Sequence, residues 1–405
     1  MNWSKRHLIL PRFFIIIILI LFIGCTAQKK GVYKKDELLR QGTEQYFKEA
    51  AEQYKVMMNI LLQGQFPKSY DAATGKLQTS GSEWWCSGFY PGTLLYLYEE
   101  TKDTVLYNEA LRILELLKKE QYNKSTHDLG FMMYCSFGNA NRLQPSPVYK
   151  EVLVNSARSL ATRFNPTVGC IRSWDSKGDD FLVIIDNMMN LELLFWATKE
   201  TGDSSFYNIA VTHANTTLKN HFRPDNSSYH VINYNAKTGA IQKKRTQQGA
   251  ADESAWARGQ AWGFYGYTLM YRETRDQKYL DQANKIAQFV FSHPNLPADK
   301  IPYWDFNAPG IPVALRDASA AAIIASGLIE LSTYVDKKRA TEYLNNATAI
   351  LYTLSSDKYK AKKGSNGGFL LQHSVGNIPG KTEIDVPLTY ADYYYVEALK
   401  RYKEL

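Results

Sequence analysis

The chain has 405 residues, 45% of them hydrophobic and 13% aromatic, and a formal net charge of +8. That length and apolar content support a large buried core and exclude a disordered polyelectrolyte. No basic cluster is interleaved with aromatics, so the charge does not follow the pattern of a nucleic-acid binder, while a small anionic substrate stays open.

The first segment, "MNWSKRHLILPRFFIIIILILFIGC", sets Lys5, Arg6 and Arg12 ahead of an apolar run from Phe13 to Ile23. That run is shorter than the roughly 20 residues a membrane-spanning helix requires, so it reads as a secretory signal. Gly24-Cys25 after an apolar stretch resembles the lipobox of bacterial lipoproteins, with Phe22 where Leu is commoner. Residues 1–24 are therefore expected to be a lipoprotein signal, Cys25 the lipidated residue, and 25–33 a tether. The destination is the bacterial periplasm or outer membrane; a simple cleaved signal would also lead out of the cytoplasm. Removing the three signal charges leaves +5. Cys86, Cys135 and Cys170 remain, an odd number without CxxC spacing, which predicts buried thiols and at most one disulfide.

Helical patterns follow at about 36–62, 130–141, 147–164 and 388–402. Between them a repeat recurs: 94–117, 191–214 and 268–290 each run apolar helix, Glu-Thr-x-Asp, Tyr, Ala, second apolar helix. A looser copy covers 327–354. Each copy predicts a helical hairpin whose second helix opens on Asp. About six such hairpins fill residues 34–405, which predicts one all-α catalytic domain, an (α/α)6 barrel of inner and outer helices, with an open solenoid as the alternative. Strand signals are sparse; "YHVINYN" and "AIQKKRT", joined through Lys237-Thr238-Gly239, predict a small β-hairpin decorating a loop.

Inner helices running in one direction would bring their N-termini to one mouth. Asp128, Asp186, Ser254 and Asp317 each precede an apolar helical run, where Asp and Ser serve as N-caps contributing about 1 kcal/mol each. Capping leaves the flanks unexplained: His127 and Gly130 beside Asp128, and the polar pair Asn187 and Asn190 in the apolar run after Asp186. Two carboxylates at one mouth can have their pKa values split, leaving one protonated near neutrality. Trp84, Trp85, Trp174, Trp256, Trp262 and Trp304 all fall in loops or first turns, where they would form walls for sugar rings. Arg258, in the first turn of a helix made of Ala, Gly, Trp and Tyr, needs a partner, either a substrate anion or an internal Asp.

At this point a family is recognisable. The stretches "WWCSGFYPG", "HDLGFMMYCSFG", "IIDNMMNLELLFWA", "SAWARGQAWGFYGY", "PYWDF" and "EIDVPLTYADYYYVEAL" resemble family 88 of the glycoside hydrolases, the unsaturated glucuronyl hydrolases, from about Lys34 to the end. The resemblance implies removal of a 4,5-unsaturated uronic acid from the non-reducing end of lyase-generated, glycosaminoglycan-type oligosaccharides, by hydration of the double bond. It implies Asp186 as general acid/base and Asp128 as the second essential carboxylate. His230, Gln248, Arg258 and Trp262 would surround the uronate, and Trp84 or Trp85, Trp174 and Trp256 would stack on sugars. His373 and Ser374, in the loop 362–381, match contacts to the next sugar only in part. No metal, cofactor or nucleic acid is implied; the partners are the oligosaccharide and, through Cys25, a membrane, for a monomer or weak dimer. The alternatives are an unsaturated rhamnogalacturonyl hydrolase, an ordinary inverting glycosidase, or a non-catalytic glycan-binding lipoprotein.

Overall fold

A computed structural model describes the backbone from Phe13 and the side chains from Asp36 to Leu405. The expected signal, the tether and Cys25 lie outside the residues whose side chains are described.

The repeat is a helical hairpin with one recurring turn. Helix α1 spans Phe13–Ile60; α2 (Phe89–Thr101) turns into α3 (Thr104–Leu117), and α6 (Leu191–Thr201) into α7 (Ser204–Asn220). Further along, α8 (Ala257–Thr274) turns into α9 (Gln277–Ser292). At the first turn Thr101 Oγ1 donates to Leu97 O and accepts from Asp103 N, Lys102 adopts a left-handed φ of 59°, and Asp103 accepts from Val105 N. Thr201, Gly202 and Asp203 repeat this arrangement, as do Thr274, Arg275 and Asp276. The Thr closes one helix and the Asp opens the next, so the motif satisfies orphan groups at both termini. In the looser copy Asp336 keeps the cap between α10 (Ala318–Ser332) and α11 (Lys337–Leu354).

The remaining inner segment is a π-helix, Gly130–Gly138, running into α4 (Asn139–Leu143), with α5 (Pro147–Ala161) outside it. The last helix, α12 (Thr389–Lys403), packs between α10 and α2 and closes the inner ring. Its outer partner is α1, so the sixth pair joins the two ends of the chain. The fold is the (α/α)6 barrel. Composition explains which helix lies where: α10, "ASAAAIIASGLIELS", is buried almost all round, whereas α9 buries one stripe, Tyr279, Leu280, Ala283, Ile286, Ala287 and Val290, with Gln282 beside it. Helical spacing of that stripe turns one face inward, and each large aliphatic member contributes roughly 1.5–3 kcal/mol by leaving water. Cys86, Cys135 and Cys170 are free thiols.

The strand content exceeds the sequence expectation. The hairpin of β6 (Val231–Asn235) and β7 (Ile241–Arg245) is present, but β5 (Asp180–Ile184) pairs with β6 to make a three-stranded sheet. Two hairpins were not anticipated: β1 (Phe66–Asp71) with β2 (Lys76–Ser80), and β8 (Ser374–Asn377) with β9 (Thr382–Val386). A two-residue ladder, β3 (Phe164–Asn165) with β4 (Cys170–Ile171), completes the set. The strands of the two unanticipated hairpins are short and largely polar, so they lack the apolar alternation that marks a strand in sequence.

Candidate active site

Of the four proposed N-caps only Asp317 caps, accepting from Ser319 N at 3.0 Å. Ser254 does not begin a helix; α8 starts at Ala257 without a side-chain cap, and Ser254 Oγ instead donates to Asp305 at 2.6 Å. Neither Asp128 nor Asp186 caps the helical turn it precedes or enters. Capping is thus not the reason for either carboxylate.

Asp186 is delivered by the sheet. Strand β5 pairs Ile184 with Val231, and Ile185 N donates to His230 O at 3.0 Å, so the residues after β5 and before β6 lie side by side. The chain then enters a 3-10 turn, Ile185–Asn190, that leads into α6. His230 Nε2 stands 3.8 Å from Asp186 Oδ2, while its Nδ1 accepts the backbone N–H groups of Gln247 and Gln248, both at 3.2 Å. Two donors on Nδ1 place the imidazole proton on Nε2, facing the carboxyl. Burial, aided by the charges of Arg258 and Arg245, holds His230 well below its ordinary pKa, so this donor is neutral.

The Asp186 carboxyl is pushed up to about 7, chiefly by burial. Arg258 and the Trp262 indole oppose that shift, and the negative charge of Asp128 adds to it. Asp128 is held near by Asn190, whose Nδ2 lies 3.5 Å from Asp128 Oδ1 and whose Oδ1 accepts Phe131 N at 3.0 Å. His127 Nε2 approaches the same Asp128 oxygen at 3.2 Å. Close approach depends on Gly130: a Cβ there would sit 2.5 Å from Asn190 Cα. Both carboxyl groups keep 13% exposure beside histidines that are nearly closed off.

Aromatic rings wall the acids. His230 lies between Trp256, 4.5 Å away, and Trp174, edge-on at 5.9 Å. Trp262 packs on Phe131 at 5.0 Å, and Trp85 on Tyr390 at 4.9 Å. The expectation of six tryptophans forming open walls needs correcting: Trp256, Trp262 and Trp304 are buried. Packing of the mouth uses their rings as floor, and only Trp84, at 41% exposure, stands clear. Arg258, 1% exposed, donates to Asp317 at 3.2 Å, to Gly376 O at 2.7 Å and to Val375 O, while its Nε–H meets no acceptor among the described residues. Gln248 Nε2 also donates to Gly376 O, at 3.0 Å. Hence β8 is pinned over the site from below. At its edge His373, with φ of 62°, pairs with Asp385 at 2.8 Å, and Ser374 is fully buried.

No family model matches the chain. Its sequence is 46% identical over 397 residues to an unsaturated glucuronyl hydrolase of Formosa agariphila, covering 96% of this chain and 98% of that one. It is 32% identical to an unsaturated chondroitin disaccharide hydrolase of Streptococcus pneumoniae, across 78% of this chain and 81% of the other. The crystal structure of an unsaturated glucuronyl hydrolase specific for heparin superposes with a TM-score of 0.87 at 49% identity, covering 90% and 97%. The chain belongs to the unsaturated glucuronyl hydrolases, family 88 of the glycoside hydrolases.

In this glucuronyl hydrolase the motifs distant in sequence meet at one end of the barrel. Asp128, Asp186, His230, Gln248, Trp256, Arg258 and Trp262 form one constellation through the contacts above. Three further side chains touch it to which the sequence reading gives no site role. Asp317 was read only as a cap, although its second oxygen holds Arg258. Tyr390 has no role in the sequence reading because "LTYADYYY" reads as helix core, and His127 appears there only as a flank of Asp128. A buried polar side chain directly beside a candidate acid was the available signal.

Proposed function

We propose that this hydrolase removes a 4,5-unsaturated uronic acid from the non-reducing end of lyase-generated oligosaccharides of glycosaminoglycan type. One observation carries the reading: a carboxyl held near neutrality, Asp186, faces a neutral imidazole N–H and a second carboxylate. Protonated Asp186 supplies a proton to carbon 4 of the enol ether, and its carboxylate then takes one from the water adding at carbon 5. The hemiketal so formed opens to a ketone by breaking the bond between carbon 5 and the ring oxygen, which stays on carbon 1 as a hydroxyl, and the resulting hemiacetal expels the saccharide and leaves an aldehyde. Asp128 adds to the burial that keeps Asp186 protonated and faces the sugar hydroxyls; the unpaired Nε–H of Arg258 and the amide of Gln248 favour the uronate carboxylate. Solved structures of relatives carry dGlcA-Glc-Rha-Glc or dGlcA-GalNAc6S, which supports an unsaturated uronyl ligand. The Lys/Arg-flanked apolar run ending at Gly24-Cys25 supports export and a lipid anchor at Cys25.

Incubation with unsaturated disaccharides in heavy water tests the reaction. Loss of ultraviolet absorbance should accompany deuterium on carbon 4 of the released uronate; protium there, with the double bond retained, would make this an ordinary glycosidase. The rhamnogalacturonyl alternative predicts turnover only when rhamnose is the leaving sugar.

A second measurement concerns pH. Activity that requires protonated Asp186 declines as pH rises through about 7. Because the charge of Asp128 raises that pKa, Asp128→Asn should shift the alkaline limb of kcat/KM to lower pH, besides lowering its height. A limb that stays in place would separate the two acids.

A further inference from the structure

Above the acids, two hairpins meet at the mouth, and both are irregular. The β1 ladder slips between Pro67 and Ser69, so Lys68 is the unpaired residue of a bulge. Bulges re-aim side chains, and here the Lys68 ammonium is carried over the Trp84 ring, 4.3 Å from its centre. Its ion-pair partner among the described residues is Glu383 on β9, at 3.8 Å, beyond hydrogen-bond range, and the Lys68 side chain stays 24% exposed, open to a ligand. Glu383 itself is held at φ of 53°, and a Cβ on Gly376 would strike its carboxylate at 2.4 Å. The pair borders the site: the Glu383 carboxylate abuts Gly376, whose carbonyl accepts from Arg258 and Gln248.

We propose that Lys68, poised over Trp84, is a specificity-determining residue that recognises an anionic substituent beyond the unsaturated uronate. Trp84 offers an exposed ring for the adjoining sugar's carbon–hydrogen face, and the partly exposed ammonium takes a sulfate or carboxylate in place of its loose contact with Glu383. Glu383 opposes a second anion, so the two side chains set the preference jointly. This rests on the reading of the reaction given above.

The test compares the wild type, Lys68→Met and Lys68→Arg on three substrates: an unsulfated unsaturated disaccharide, its sulfated counterpart, and an unsulfated tetrasaccharide whose next uronate supplies a carboxylate. Lys68→Met should lower kcat/KM roughly tenfold or more on a charged substrate, the size expected for one charge-assisted hydrogen bond, and alter the unsulfated disaccharide by less than about twofold. Lys68→Arg should restore most of the loss. A fall on the sulfated disaccharide alone identifies sulfate, and a fall on the tetrasaccharide alone identifies the carboxylate. Equal effects on all three substrates, or none, would overturn the proposal while leaving the reaction intact. If the wild type consumes none of them, the reading of the reaction fails and takes this inference with it.

Discussion

Asp186→Asn is expected to reduce kcat by at least about 10³-fold while leaving substrate binding within a few-fold of wild type. Asparagine keeps the shape, so the loss measures proton transfer, for which a positioned acid/base contributes typically 10²–10⁴-fold. Binding should survive, because the wall of Trp174, His230 and Trp256 and the pinned β8 do not depend on a charge at residue 186. Single-turnover kinetics and calorimetry with an unsaturated disaccharide separate the two quantities. Turnover within tenfold of wild type would remove Asp186 from the reaction.

The same variant carries a stability signature with a definite sign. The folded-state pKa of Asp186 is raised from 3.8 to about 7, so between those values the folded chain binds more protons than the unfolded one. Stability contributed by the protonated form is therefore present below pH 4 and is lost as pH rises through about 7. Replacing the carboxyl with a neutral amide removes this liability, so Asp186→Asn should be more stable than wild type at pH 8, by on the order of 3 kcal/mol, and closer to it at pH 5. Activity falling while alkaline stability rises is an outcome that a merely structural residue would not produce.

Arg258→Ala should have the largest cost to folding, roughly 3–5 kcal/mol, because it leaves a fully buried partner charge on Asp317 and removes donors from Val375 O and Gly376 O. Denaturant unfolding measures it, and Asp317→Ala completes a double-mutant cycle. Coupling of more than about 1 kcal/mol is expected, since the two side chains share one contact and one strand. A cost under about 1 kcal/mol would show that the guanidinium does not hold β8. In catalysis the variant should move the alkaline limb to higher pH, opposite to Asp128→Asn, because Arg258 lowers the Asp186 pKa.

How much could be read in advance follows from what kind of signal each feature leaves. The barrel was legible because its hairpin turn is chemically repeated: Thr, a residue at positive φ, and Asp do the same work at 101–103, 201–203 and 274–276. Asp128 and Asp186 were legible because each stands at the entry to an apolar run with polar neighbours that capping does not require. The partners of Arg258 were not, since Asp317 and the carbonyls of 375 and 376 reach it across the fold and leave no spacing pattern. The small hairpins escaped for a related reason: β1–β2 and β8–β9 are fixed by each other and by the barrel rim rather than by their own alternation. Buried and exposed tryptophans are likewise indistinguishable by position alone, which is why Trp256, Trp262 and Trp304 were credited with more contact than packing leaves them.

The seam between α1, α12 and α2 has a consequence for how the molecule comes into being. Residues of α1 and of α12, more than three hundred positions apart in sequence, must find each other before the ring exists, and such non-local pairings form slowly. Tyr390 and the β9 glutamate arrive with the last few dozen residues, so a partly synthesised chain holds its acids without a roof. The roof over the acids is thus complete only once α12 has docked between α10 and α2.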